Sequence, residues 1–129
     1  MLKEVKTNKA PLAVGPYSQA VVAGDFVFCS GQIGLDPKTN EFVSGGTLKQ
    51  TQQVLANLGN VLKASGCDFK DVVRADVFLQ DMDDFAAVNE VYSTFFASGP
   101  KPARQTVEVS RLPKGAHVEI SAVAYKAEK

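Results

Sequence analysis

Two ionisable side chains, Arg104 and Glu119, stand on separate segments near the C-terminal end that are both predicted to be strands. A guanidinium is planar and always charged, and it can bind a carboxylate through two parallel hydrogen bonds. A carboxylate that is desolvated in a cleft can have a raised pKa, which suits it to the transfer of protons. The two residues are therefore candidate functional side chains. A structural ion pair between strands or subunits is the alternative reading of the same two residues.

The other reactive side chains form no recognisable site in the sequence. Cys29 and Cys67 belong to no metal-binding or disulfide motif, and we expect both to be buried as small apolar residues. His117 is the single histidine, and it is predicted to lie in solvent at the edge of a strand. We therefore expect neither a metal ion nor a cofactor.

Length and charge limit the class of protein. With 129 residues, of which 45% are hydrophobic and 22% charged, the chain is predicted to form a single domain over 1–129. Its 14 basic and 14 acidic residues leave no net charge, so neither nucleic acid nor a membrane is an expected partner. The N-terminal segment 1–6 has charges where a signal peptide needs an apolar stretch, and we expect a cytoplasmic protein.

Two stretches have the periodicity of amphipathic helices. Over residues 47–65 apolar side chains recur every three or four positions, with Thr47 and Gln50 as a predicted capping box and Gly66 as the stop. A second helix is predicted over 83–98, because aspartates precede its apolar face and a Gly-Pro pair follows it.

Strands are predicted before, between and after the helices. The strand between the helices has an apolar face of four alternating residues, Val73, Ala75, Val77 and Leu79. Further strands are predicted at 21–22, 26–30, 32–35 and 42–43 before the first helix, and at 104–109 and 118–125 after the second. This order predicts an α+β fold in which both helices cover one face of a sheet.

Alternation along the last two strands predicts which side chains face the helices. Val107 is expected to pack under them, together with the apolar residues of the last strand. Arg104, Thr106 and Glu119 are then expected on the opposite face, beside the aromatic residue Tyr125. Such a face is too apolar for a solvated surface and too charged for a dry core. It therefore predicts that several copies associate around a polar cavity.

Four blocks of sequence occur in a fixed order between residues 11 and 124. They read GPYSQA at 15–20, SGQI at 30–33, VNE at 88–90, and PAR at 102–104 followed by VEI at 118–120. Together these blocks resemble the RidA (YjgF-type) family of imine deaminases. Their combined order is a more specific signal than any single block.

The resemblance implies a chorismate-mutase-like fold with a mixed six-stranded sheet. It also implies a homotrimer whose three sheets line a central barrel, with three sites in the clefts between subunits. In that family the last strand lies beside the strand that precedes the first helix. Arg104 and Glu119 would then not be hairpin neighbours and would instead converge across a subunit boundary.

The resemblance further implies roles for individual residues. Arg104 would bind the substrate carboxylate, Glu119 would position the attacking water, and Tyr17 would lie at the rim of the catalytic site. By the same resemblance, the remaining residues that line the site are Ser30, Gly31, Asn89 and Thr106.

The activity implied is hydrolysis of 2-iminobutanoate and 2-iminopropanoate, released by pyridoxal-phosphate enzymes, to 2-oxo acids and ammonia. A protonated imine is already electrophilic, so orientation and charge placement are sufficient for the attack of water. Two other functions stay open at this point. One is a non-catalytic regulatory protein that binds 2-oxo acids. The other is an endoribonuclease or translation inhibitor, which fits the absence of net charge poorly.

Overall fold

The computed structural model describes residues 1–126, and residues 127–129 of the predicted domain lie outside the described residues. Six strands form one mixed sheet: β1 (Leu2–Val5), β2 (Ala20–Ala23), β3 (Phe26–Gln32), β4 (Val72–Leu79), β5 (Ala103–Glu108) and β6 (Val118–Tyr125). Helix α1 (Gly46–Ala64) lies between β3 and β4 in the chain, and α2 (Phe85–Phe95) lies between β4 and β5. The predicted α+β class, with two helices and a mixed six-stranded sheet, is confirmed.

The strand order separates the two candidate ionisable residues. It runs β1-β2-β3-β6-β4-β5, with β4 and β5 parallel and all other neighbours antiparallel. Strand β6 therefore lies beside β3, the strand that precedes α1, as the resemblance implied. Because β4 lies between β5 and β6, Arg104 and Glu119 are not on neighbouring strands.

The N-terminal region differs in part from its prediction. Strand β1 pairs with β2 and was not predicted from the sequence. The predicted strands at 32–35 and 42–43 are mostly loop, and they meet only at a single bridge between Leu35 and Phe42. This loop leads from β3 into α1.

The core lies between α1 and the sheet. Most of the predicted apolar stripe of α1 is fully buried, namely Thr51, Val54, Leu55, Leu58, Val61 and Leu62. Leu48, the first residue of that stripe, lies in the first turn of the helix and is 38% exposed. Beneath it lie alternate residues of β3, β4 and β6, among them Val27, Ala75, Val77 and Ile120. Full burial of a leucine or isoleucine side chain stabilises the fold by roughly 1.5–3 kcal/mol, so this layer holds the sheet rigid beneath the site.

The two ends of α1 differ in how well the sequence predicted them. Gly66 is left-handed at φ 86°, which confirms the predicted stop. The predicted capping box is wrong, because Gly45 is the N-cap residue and no side chain caps the helix. The Thr47 hydroxyl instead lies 3.0 Å from Asp84 Oδ2 and 2.9 Å from His117 Nδ1. His117 is therefore half-buried between elements rather than solvated.

A bulge changes the apolar face of β4. The pairing of β4 with β6 shifts between Val72 and Arg74. As a result Val72 is buried and Val73, predicted to face the helices, is 43% exposed. The remaining three predicted positions are buried as expected.

The predicted orientation of β5 is wrong. Arg104 pairs with Ala75 and Thr106 with Val77, and both partners on β4 are buried beneath the helices. Because directly paired residues point to the same face of a sheet, Arg104 and Thr106 face α2. Val107 is 38% exposed on the opposite face. Strand β5 ends the sheet, and at such an edge a long polar side chain can lie across the end of a helix, so apolar alternation alone does not determine the orientation.

Candidate active site

One group of candidate residues lines a cleft of about 450 Å³ beside β3 and β6. This group comprises Tyr17, Ser30, Gly31 and Glu119. On β6 the neighbours of Glu119, Val118 and Ile120, are completely buried on the helix side. Glu119 therefore projects from the opposite face of the sheet, as alternation predicted.

A bulge in β3 brings the backbone of Gly31 against Glu119. Cys29 pairs with Ala122 and Gln32 with Ile120, so two residues of β3 stand opposite one residue of β6. A Cβ atom built at Gly31 would lie 2.9 Å from both Cγ and Cδ of Glu119, and closer still to Oε2. Only glycine leaves room for the carboxylate in this position.

The carboxylate of Glu119 is half-buried in this cleft and has no ion-pair partner among residues 1–126. Burial raises the pKa of Glu119 above its ordinary value. No hydrogen bond within residues 1–126 engages the carboxylate, whose oxygens are therefore available to a water or a ligand.

Lys114 also lines the cleft. Among residues 1–126, Lys114 and Asn40 are the two non-glycine residues with a positive φ, and both line this cleft. Strained backbone of this kind is typical of functional sites.

A buried glutamine holds the loop that carries Tyr17. Gln19 is 3% exposed, and its side chain accepts a hydrogen bond from the Thr7 N–H at 2.7 Å. Its amide group donates to the carbonyl oxygens of Thr7, at 3.1 Å, and of Pro11, at 2.7 Å. Tyr17 is 53% exposed at the rim, close to this anchor. Gln19 was not identified from the sequence, because a single buried amide produces no periodic pattern.

Ser30 has a structural partner within the same loop. Its hydroxyl donates to the Ser18 carbonyl oxygen at 2.6 Å, and its N–H donates to the Gln19 carbonyl oxygen at 2.9 Å. These bonds attach the loop with Tyr17 to the bulge of β3. They fix one wall of the cleft relative to the Glu119 carboxylate.

The second group of candidate residues, Arg104 and Asn89, lies in a different cleft of about 460 Å³ between α2 and β5. Arg104 Nη1 donates to Asn89 Oδ1 at 2.7 Å. The guanidinium carbon lies 4.8 Å from the ring centroid of Tyr92 and 5.7 Å from that of Phe85. All three partners project from α2, at positions four and three residues apart, which share one face of a helix.

Thr106 lines neither of these two clefts. It shares the helix-facing side of β5 with Arg104, and its hydroxyl oxygen is buried without a hydrogen-bond partner among residues 1–126. A buried hydroxyl without a partner is energetically unfavourable. This part of β5 therefore has a polar group that nothing within the described chain satisfies.

One chain does not bring Arg104 and Glu119 together. They project from opposite faces of the sheet and lie two strands apart, a lateral separation of roughly 10 Å. No ion pair joins them within the described residues. An ion pair between strands of one chain, one of the two forms of the structural alternative, is therefore excluded for residues 1–126.

The remaining reactive side chains are those of the two cysteines. Burial raises the pKa of the Cys29 thiol to about 12, with a smaller contribution from Cys67, and both cysteines are buried as predicted. Residues 1–126 contain no group of three or more histidine, cysteine, aspartate or glutamate side chains that could hold a metal ion. Neither helix has the length and apolarity that a membrane crossing requires, as far as the described chain extends.

Known proteins with similar sequences and structures cover nearly the whole chain. The 2-iminobutanoate/2-iminopropanoate deaminase of Mus musculus is 51% identical over 122 residues, which is 95% of this chain and 90% of the mouse protein. The crystal structure of RidA from an Antarctic Psychrobacter has a TM-score of 0.91 at 46% identity, over 95% of this chain and 98% of that one. Escherichia coli TdcF with bound serine has a TM-score of 0.92 at 39% identity, over 97% and 99%.

A family model gives the same assignment independently. The model described as Endoribonuclease L-PSP matches residues 7–126, a range that includes both clefts. The Endoribonuclease L-PSP model is the model of the RidA (YjgF-type) family. Because the chain matches this model and has relatives about half identical over almost their full length, it belongs to the RidA (YjgF-type) family.

Proposed function

We propose that this protein is a 2-iminobutanoate/2-iminopropanoate deaminase, which hydrolyses short 2-imino acids to 2-oxo acids and ammonia. The observation that carries the proposal is the 51% identity to a mouse protein of that name over 95% of the chain. The half-buried carboxylate of Glu119 in its cleft supports it, because imine hydrolysis needs a group that orients water and transfers protons. We also propose the cytoplasm as its location.

We further propose a homotrimer with a chorismate-mutase-like fold, in which the outer faces of three sheets line a central barrel. Three aromatic side chains support this, since Phe26, Phe28 and Tyr125 are 40%, 49% and 44% exposed on that face. Arg74 and Asp76 form an ion pair on the same face at 3.0 Å. A face so mixed is typical of surfaces that become covered on association.

In the proposed assembly each site takes Glu119 from one subunit and Arg104 from the next. The topology supports this division, because the two residues lie on opposite faces of the sheet within one chain. Arg104 would bind the substrate carboxylate through two parallel hydrogen bonds and so hold the adjacent imine carbon in place. Asn89 and Thr106 would line the same wall of the site.

The proposed reaction uses only side chains and water. A water oriented by Glu119 attacks the imine carbon, the C=N electron pair moves to nitrogen, and the carboxylate accepts a proton from the water. Glu119 then returns the proton to the nitrogen. Starting from the protonated imine, this step makes the nitrogen an ammonium group. The carboxylate of Glu119 then takes the hydroxyl proton as the carbonyl forms, the C–N bond breaks, and the departing ammonia takes up that proton and leaves as ammonium. Tyr17 would hold the imine nitrogen or the water, and Ser30 and Gly31 would form the wall behind them.

Two other functions are less well supported. A non-catalytic binder of 2-oxo acids would use Arg104 but would not require the carboxylate that Gly31 accommodates. The family model's description refers to an endoribonuclease. The chain has 14 basic and 14 acidic residues, whereas RNA-binding surfaces rely on excess positive charge.

A subunit-mixing experiment tests both the activity and the shared site. Imine would be generated in situ by a pyridoxal-phosphate dehydratase, and 2-oxo acid formation followed with wild type, Arg104→Ala and Glu119→Gln. We expect wild type to accelerate the reaction and each variant to lose most of that acceleration. If Glu119→Gln retained full activity, or wild type bound 2-oxobutanoate without accelerating hydrolysis, the binding function would replace the proposal.

Mixed trimers then locate the site. After equal amounts of the two variants exchange subunits at random, about a quarter of the interfaces would combine an intact Arg104 with an intact Glu119. We therefore expect recovery of roughly a quarter of the wild-type rate by the same count. No recovery, with subunit exchange verified, would contradict a site divided between subunits.

A further inference from the structure

We propose that Tyr92 is a positioning residue of this site, which holds the Arg104 guanidinium in the orientation that receives the substrate carboxylate. The inference deepens the proposed function and rests on it for the role of Arg104. In the sequence Tyr92 is one of the residues on the apolar face of the helix predicted over 83–98. The contacts of its ring indicate a second task.

The guanidinium is held on two sides by α2. Asn89 accepts one of its N–H groups at 2.7 Å, and the ring of Tyr92 lies 4.8 Å from the guanidinium carbon. Phe85 lies farther away, at 5.7 Å. A guanidinium has five N–H donors in one plane, so these contacts leave donors available for a carboxylate while they limit the rotation of that plane.

Tyr92 can position Arg104 because the core holds Tyr92 itself. Its ring stacks on Phe96 with centroids 4.3 Å apart and an interplanar angle of 20°, and Phe96 contacts Phe69 edge-on at 5.0 Å. Tyr92 is 8% exposed and Phe96 is 2% exposed. The ring therefore links the rigid interior to Arg104, which is an exposed and otherwise flexible side chain.

The face of the ring, rather than its hydroxyl, is the part that acts on Arg104. The hydroxyl of Tyr92 is buried and has no hydrogen-bond partner among residues 1–126. Burial raises the pKa of Tyr92, and the positive charge of Arg104 opposes that rise. The neutral ring offers a negative face to the cation. Phenylalanine at this position should therefore preserve the function.

The test compares Tyr92→Phe, Tyr92→Leu and a control, Val91→Ala, which removes a buried neighbour on α2 that is 6% exposed. We expect Tyr92→Phe to keep kcat/KM within about threefold and Tyr92→Leu to lower it about 3- to 30-fold, the range of a cation–π contact. The Kd for 2-oxobutanoate should rise by a similar factor. Val91→Ala should lower stability and leave both quantities unchanged.

An Arg104→Gln background separates positioning from a general packing defect. Glutamine has no positive charge for the face of the ring to attract, so Tyr92→Leu should change the residual kcat/KM by less than about twofold in that background. An equal loss in both backgrounds, or a Tyr92→Leu enzyme with wild-type kcat/KM and Kd, would overturn the inference. Wild type without imine hydrolysis or 2-oxobutanoate binding would instead overturn the proposed function itself.

Discussion

The contact between Gly31 and Glu119 leads to a quantitative prediction for Gly31→Ala. An alanine Cβ would lie 2.9 Å from Cγ and Cδ of Glu119, whereas ordinary contacts of this kind begin at 3.4 Å. The carboxylate would therefore have to move by about 0.5 Å or more to restore normal contact. Gly31 has no positive φ, so its backbone can accept alanine and the change falls on the side chain.

The expected loss of activity is large compared with the expected loss of stability. A misplacement of about 1 Å in a catalytic group can lower a rate about 100-fold, so a shift of half that distance or more should lower kcat/KM about 10- to 100-fold. The free energy of unfolding should change by less than about 1 kcal/mol, because Glu119 is only half-buried and can yield.

The assay combines imine hydrolysis, urea unfolding and a double variant. If Gly31 acts through Glu119, then Gly31→Ala should cause little further loss in a Glu119→Gln background. Full activity of Gly31→Ala would refute the assigned geometry. So would an equal loss in both backgrounds, because the effect would then be independent of the carboxylate.

Three further predictions concern pH, loop anchoring and thiol reactivity. Burial raises the pKa of Glu119 above its ordinary 4.5, so the folded state holds this proton more tightly than the unfolded state. The free energy of unfolding of wild type, relative to that of Glu119→Gln, should therefore fall as pH rises from about 4.5 through the raised pKa, and then level off. Urea titrations at several pH values measure this difference, and a difference that grows with pH would contradict the prediction. Gln19→Leu removes the acceptor of the Thr7 N–H and the donors to the Thr7 and Pro11 carbonyl oxygens. This variant should lower the free energy of unfolding by about 2–4 kcal/mol, or the Tm by roughly 10 °C, and an unchanged Tm in calorimetry would disprove the anchoring role. Because burial raises the pKa of Cys29 to about 12, its thiol should resist iodoacetamide at pH 8 in the folded protein and react in urea. Peptide mass spectrometry measures the labelling, and rapid labelling of the folded protein would show that Cys29 is not buried.

The helices and the core were predictable because each depends on the periodicity of a local segment. The apolar spacing over α1 alone predicts a helix with one buried face, and that face is buried from Thr51 to Leu62. Gly66 marks the end of α1 for an equally local reason, since a left-handed residue suits glycine. The ordered blocks that contain Arg104 and Glu119 likewise identified the family from sequence alone.

Features that depend on which distant segment lies alongside were decided only by the tertiary structure. Apolar alternation in β5 favoured Val107 as the inward residue, but the parallel register with β4 turns Arg104 toward α2 instead. The stacking of Arg104 on Tyr92 follows from the register of β5 with β4, and the contact between Gly31 and Glu119 follows from the pairing of β3 with β6. Periodicity reports how a segment meets the core, whereas register depends on contacts between segments far apart in the chain. The sequence by itself therefore determined the family, the two helices and five of the six strands, and only the folded sheet decided that its arginine and its carboxylate point to opposite sides.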